Sequence, residues 1–119
     1  MKAIIDIAPR ASVFAVARSQ ISKAQTQRKP VDYHLSFESA RTLFSELSPA
    51  RIDLLEALRR TGPSSVYALA KATQRNYSNV HTDIAKLEEH GLVQRTQDDA
   101  VFVPFDAVEI RLDLFKKAA

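Results

Sequence analysis

Arg75, Ser78, Asn79, Thr82 and Lys86 have the types and spacing to hydrogen-bond nucleic acid. An asparagine can read an adenine edge through two bonds, and an arginine a guanine edge or a phosphate. Short hydroxyls at a helix start approach bases and phosphates closely, and a lysine one turn later suits a phosphate. A helix must present them. With Val80 at the centre of a buried stripe, each residue advances about 100° around the axis. Ser78 and Thr82 then lie nearly opposite, Asn79 and Lys86 lie on the flank, and Arg75 stands before them. Backbone N–H groups at such a helix start also attract anions. Tyr77 falls near the buried edge and reads as partial core with its hydroxyl outward, while His81 lies between faces and ranks below the others.

An amphipathic packing helix with a polar outer face would show the same pattern, so its neighbours decide. Val80, Ile84 and Leu87 make the stripe, and Gly91 is the expected C-terminal stop. Ser64 or Ser65 caps a helix of about two turns before it, carrying Val66, Leu69 and Ala70 inward. Thr73 to Asn76 is the turn between them; it has no glycine, but Asn76 tolerates unusual backbone angles. Strands at Leu92–Thr96 and Ala100–Pro104 follow, separated by Gln97, Asp98 and Asp99. Helix, turn, helix and hairpin together predict a winged helix-turn-helix. Arg95 would then contact a minor groove or the backbone. Asp98 and Asp99 would repel phosphates, so the hairpin tip stands off DNA or contacts protein.

Further elements frame this core. Lys2–Ala8 is isoleucine-rich and reads as a strand, and Ala11 to about Arg28 as a helix stopped by Pro30. Asp32–Phe37 alternates as a second strand that could pair with the first. Ala40, Leu43, Phe44 and Leu47 share a helical face; Ser48 and Pro49 start another helix, with Ile52, Leu55 and Leu58 inward and an end near Gly62. Val108, Ile110, Leu112 and Leu114 alternate as a last strand. The end strands pair within one chain or between two. Unpaired edges with alternating apolar residues favour a dimer.

The 119 residues are 45% hydrophobic and 26% charged, which is globular. There is no cysteine, so disulfides, thiolate metal sites and cysteine nucleophiles are excluded. His34, His81 and His90 form no metal-like pair, and with Gly62 and Gly91 as the only glycines a phosphate-binding glycine loop is absent. Neither catalysis nor a cofactor nor a metal is expected. No stretch reads as a signal peptide or membrane span, so a cytoplasmic protein is expected. Residues 1–30 hold six cations, among them Arg10, Arg18 and Lys23, against Asp6 alone, a net of +5 within an overall +3. A solvated helix face explains this excess; so does a surface for an acidic partner, phosphate or protein.

The run from Leu47 to Thr96 resembles the MarR/ArsR-type winged-helix regulators, through Ser65-Val66, Leu69-Ala70, Val80, Leu87-Glu88, Gly91-Leu92-Val93 and Arg95. A narrower likeness covers nearly the whole chain. Ser36-Phe37-Glu38, Leu47 to Arg51, Asn79 to Asp83 and Val103-Pro104-Phe105 are similar to a subfamily of small prokaryotic regulators, many resembling antitoxins encoded beside TumE-type toxins. The resemblance implies a homodimer that binds double-stranded DNA at its own promoter and neutralises a cognate toxin. That subfamily's charged Arg-Glu-Leu-Ala type segment is here Tyr67 to Ala70, and its turn glycine is Gln74 or a neighbour. Both changes alter expected DNA contacts.

The expected fold is α+β: residues 1–37 form a strand-helix-strand extension for dimerisation or partner binding, through Arg10, Arg18 and Lys23, and residues 38–119 a winged helix-turn-helix domain with a C-terminal strand. The alternatives are a winged-helix module that binds protein without DNA, and a stand-alone repressor answering to an effector.

Overall fold

A computed structural model describes residues 1–8 and 31–115 of the chain. In chain order its elements are β1 (Ala3–Ile7), β2 (Tyr33–Phe37), α1 (Ala40–Glu46), α2 (Pro49–Thr61), α3 (Val66–Ala72), α4 (Tyr77–Glu89), β3 (Gln94–Arg95), β4 (Val101–Phe102) and β5 (Val108–Ile110). The fold is α+β, with four helices and two small sheets among the described residues. The helix expected over residues 11–28, with Arg10, Arg18 and Lys23, lies outside them.

The chain divides into two compact units, residues 46–104 and the remainder. This differs from the division expected at residue 37. The segment from Phe105 joins the N-terminal strands because β5 hydrogen-bonds to β1, a pairing that alternation alone does not specify.

In the first unit the strand order is β2-β1-β5, and both pairings are parallel, with Ile5 opposite Leu35 on one side and Ile110 on the other. Parallel neighbours need long connections, which residues 8–32 and the helical middle of the chain supply. Ala3, Ile4 and Ile5 are all buried, so the central strand is covered on both faces and reads as an apolar run instead of an alternation. Bonds from Tyr33 N to Lys2 O and from Ala8 N to Phe37 O close the ends of the β1–β2 ladder, both at 2.9 Å. Phe105 stacks on Tyr33 with ring centroids 5.6 Å apart. The last strand is shorter than expected. Its final bond runs from Arg111 N to Ile5 O, and Leu112 and Leu114 continue past the last ladder partner among the described residues.

In the second unit each helix starts as its sequence directs. Ser48 caps α2 with Pro49 in the first turn, and Ser65 caps α3 by accepting from Ala68 N at 3.0 Å. Gly62, at φ 82°, ends α2. The core gathers Leu54, Leu58, Leu69, Val80, Ile84 and Leu87, each almost fully buried. Leu54 takes the inward place expected for Ile52, which is 39% exposed. β3 and β4 pair antiparallel, and Ser64 joins them by exchanging both backbone bonds with Val101 at 2.7 and 3.0 Å. The strands expected over residues 92–96 and 100–104 shrink to two residues each. Leu92 N is spent on Leu87 O at the end of α4, which holds the start of the first strand out of the ladder.

Candidate nucleic-acid interface

The turn before α4 repeats the geometry of the turn after it. Gly91 sits at φ 79°, donating to Glu88 O while Leu92 N reaches Leu87 O, a paired bond that closes a helix around a left-handed residue. At the end of α3, Gln74 N donates to Lys71 O and Arg75 N to Ala70 O, and Gln74 occupies the left-handed place at φ 56°. The unusual angle expected at Asn76 therefore falls on Gln74. Asn76 is extended and caps α4, its Oδ1 accepting from Ser78 N at 2.8 Å and Asn79 N at 3.3 Å. Those two N–H groups, expected to draw an anion, already have an acceptor.

Arg75 does not stand free. Its Nη2 donates to Asp83 Oδ2 at 2.8 Å, and its Nη1 is buried without a hydrogen-bond partner among the described residues. Arg51 Nε reaches the other oxygen of Asp83 at 3.0 Å, while its Nη1 donates to Glu46 O at 2.9 Å. His90 Nε2 lies 3.0 Å from Glu46 Oε2. This chain of groups ties the end of α1, the start of α2 and the turn to the middle and the C-terminal cap of α4. Burial pushes the Asp83 carboxyl up, but hydrogen bonds from Arg75 and Arg51 outweigh it and hold it below the ordinary aspartate value. The hydrogen bond with His90 is the main reason Glu46 is also lowered.

Ser78, Asn79 and Thr82 are exposed on the outer side of α4, as expected. Thr82 Oγ1 donates back to Ser78 O at 3.0 Å. Lys86 is exposed as well, with its ammonium 3.4 Å from Glu89. Arg95 is committed like Arg75. Its Nε and Nη2 bind the Glu88 carboxylate at 2.8 to 3.0 Å, and its Nη1 binds Asp99 Oδ1 at 2.8 Å. Those bonds, Glu88 first, hold its charge more firmly than in a free arginine. Asp99 adopts φ 64° and closes the hairpin by donating its N–H to Thr96 O, a three-residue loop with its last residue left-handed. Of the two tip aspartates, Asp99 thus faces Arg95.

Sequence reasoning missed an aromatic row. Tyr77, expected at the core edge, is 50% exposed, and Tyr67 on α3 is 66% exposed. Their rings lie 6.5 Å apart, and the Tyr77 ring lies 5.9 Å from His81. The available signal was position: Tyr77 is the first residue of α4, ahead of its buried stripe, and Tyr67, one position after Val66 and so about 100° around α3, points away from that helix's buried side. Residues 46–104 carry seven cations and eight anions, a net of −1. Among the described residues no three His, Asp or Glu side chains are placed to hold a metal, and no helix is long and apolar enough to cross a membrane.

A family match begins where this unit begins and runs past its end through β5. The model of the HVO_A0114 family matches residues 46–110, just over half of the chain. The chain belongs to that family. Comparison with curated proteins and with solved structures finds no match.

Proposed function

We propose that residues 46–104 form a winged helix-turn-helix and that the protein is a sequence-specific DNA-binding transcriptional regulator acting as a dimer. The observation that carries this reading is the outer face of α4. Asn79, Ser78 and Lys86 are exposed there, and among the described residues none of them hydrogen-bonds or ion-pairs outside its own helix and cap. The two-turn α3, the tight turn and the small β3–β4 hairpin joined by Ser64 support the same reading, since this is the frame that sets a helix in a major groove. Asn79 reads a base edge, Ser78 and Thr82 pack against the groove, and Lys86 holds a phosphate. Arg75 and Arg95 position the frame instead of touching DNA.

The test is binding to the DNA upstream of the gene. Asn79→Ala should weaken specific binding about tenfold or more, and Lys86→Ala should reduce the salt slope by roughly one. Wild-type affinity and salt slope in both variants would sink the reading. The net charge of −1 predicts a shallow salt dependence, because few phosphates can be neutralised by each copy.

The role of an antitoxin that represses its own promoter rests on the resemblance of the sequence. Toxin binding would fall to Arg10, Arg18 and Lys23. Deleting residues 1–30 would remove β1, the central strand, so the clean test is their joint replacement by alanine followed by copurification with the neighbouring gene product. A second reading, a protein-binding module, is favoured by the exposed Tyr67 and Tyr77 and by Asp98 at the hairpin tip. Its signature would be a partner lost on Tyr77→Ala and DNA binding absent at low salt.

A further inference from the structure

Among the described residues the sheet of the first unit ends on one side at β5, whose neighbour on the other side is β1. Ala3 N donates to Ala107 O and Arg111 N to Ile5 O, so the odd-numbered residues of β5 turn their peptide groups toward β1. The even-numbered residues Val108, Ile110 and Leu112 turn theirs to the open side. That side is accessible: Ile110 is 42% exposed and the Arg111 side chain 61%. Apolar alternation also continues past the end of the ladder, through Leu112 to Leu114, which is 69% exposed. An edge with these properties is a template for another strand.

We propose that this edge pairs with β5 of a second copy, antiparallel about a two-fold axis through Ile110. Peptide direction requires even-numbered residues to face even-numbered residues, and charge then selects one register. With Ile110 opposite itself, Glu109 of each copy faces the partner's Arg111, and Val108 faces the partner's Leu112. Sliding by one residue in either direction about the axis sets Glu109 against Glu109, or against Asp113 with Arg111 against Arg111, and like charges directly opposite destabilise a pair. The residues beyond the ladder then gain partners, with Leu112 on Val108. Within each copy Glu109 already holds Lys2 at 2.9 Å and Arg111 at 3.1 Å, so the carboxylate is fixed on the edge and not swept through solvent. The resulting sheet has six strands and is continuous through the axis. The inference does not depend on DNA binding, and its test uses no DNA.

Sedimentation of the full chain measures the association directly. Wild type should dimerise. Glu109→Arg alone sets four like charges across the axis, as does Arg111→Glu alone, and each should weaken the dimer about tenfold or more. An equimolar mixture of the two variants restores both unlike pairs and should recover the dimer as a heterodimer. A wild-type chain that stays monomeric at every concentration, or folded variants that dimerise alone as well as wild type does, overturns the proposal. Should either variant fail to fold, crosslinking decides. The chain has no cysteine, and in this register two copies of Ile110→Cys bring their Cα atoms to about 5.5 Å, within disulfide reach, whereas Arg111→Cys leaves about 8 Å. Crosslinking at 110 but not at 111 is expected. Crosslinking at 111 instead, or at neither position, rejects the register.

Discussion

Arg75 and Arg95 bracket α4 and each is spent on carboxylates, whereas Ser78 and Asn79 between them are exposed and Lys86 pairs with exposed Glu89 of its own helix. The contrast separates two tasks that a list of basic residues runs together. A guanidinium beside two carboxylate oxygens fixes where a helix lies, and its directional bonds make it good at that. A short amide on an open face does not hold the frame, so it is at liberty to select a ligand. Breaking one set should cost stability, and breaking the other should cost binding alone.

The largest effect is expected at Asp83, where both arginines of the network meet. Asp83→Ala would leave Arg51 and Arg75 partly buried without their shared acceptor, and Arg75 Nη1 already lacks one. The loss should be about 2–3 kcal/mol, less than for a fully buried pair because the arginines keep some solvent. The urea midpoint of the folded chain reads it. An unchanged midpoint would mean that the network is surface decoration.

Next comes binding, where the two sets should part. Asn79→Ala should lose about 1–3 kcal/mol of specific DNA affinity at an unaltered unfolding midpoint. Arg95→Ala should leave affinity within about twofold, because its Nε, Nη1 and Nη2 are already engaged by Glu88 and Asp99. A large affinity loss at Arg95 with none at Asn79 would reverse the assignment of roles.

How much of this was legible follows from the range of each interaction. The buried stripe of Val80, Ile84 and Leu87, the serine caps and the Gly91 stop are local, set by residues within a turn or two, and periodicity exposes them. The fate of Arg75 and Arg95 is tertiary. Arg51 and Asp83 are 32 residues apart, and no spacing rule joins them. One signal did exist. Asp83 lies about 60° from Val80, so a carboxylate there had to be half-buried and to draw a cation. The pairing of β5 with β1 was illegible for the same reason, since alternation reports which residues can face a core and not which strand lies alongside.

Acid should dissolve the network before it touches the apolar core. Asp83 and Glu46 both sit below their ordinary values, so their contribution is fully present above the unfolded carboxyl values of about 3.9 and 4.3. It is lost as pH falls through the lower values they have when folded. Unfolding midpoints measured from pH 6 down to pH 2 should drop in that acidic window, and Asp83→Asn should flatten the part of the fall that belongs to Asp83. An equal fall in wild type and Asp83→Asn would place the acid sensitivity elsewhere.

The smallest effect tests the frame at its turn. Gln74 and Gly91 hold the same left-handed place in equivalent helix endings, and only one of them is glycine. A side chain in that conformation costs about 1–2 kcal/mol, while glycine loses about 0.5–1 kcal/mol through the freedom of the unfolded chain. Gln74→Gly should therefore stabilise by somewhat under about 1 kcal/mol, and Gly91→Gln should destabilise by a similar amount. If Gln74→Gly instead lowers stability while leaving DNA affinity intact, the glutamine side chain is packed to advantage and the strain is already offset. If it raises stability but weakens binding, rigid placement of Asn76 and the start of α4 depends on the strained turn, and presentation and positioning are coupled after all at this one residue.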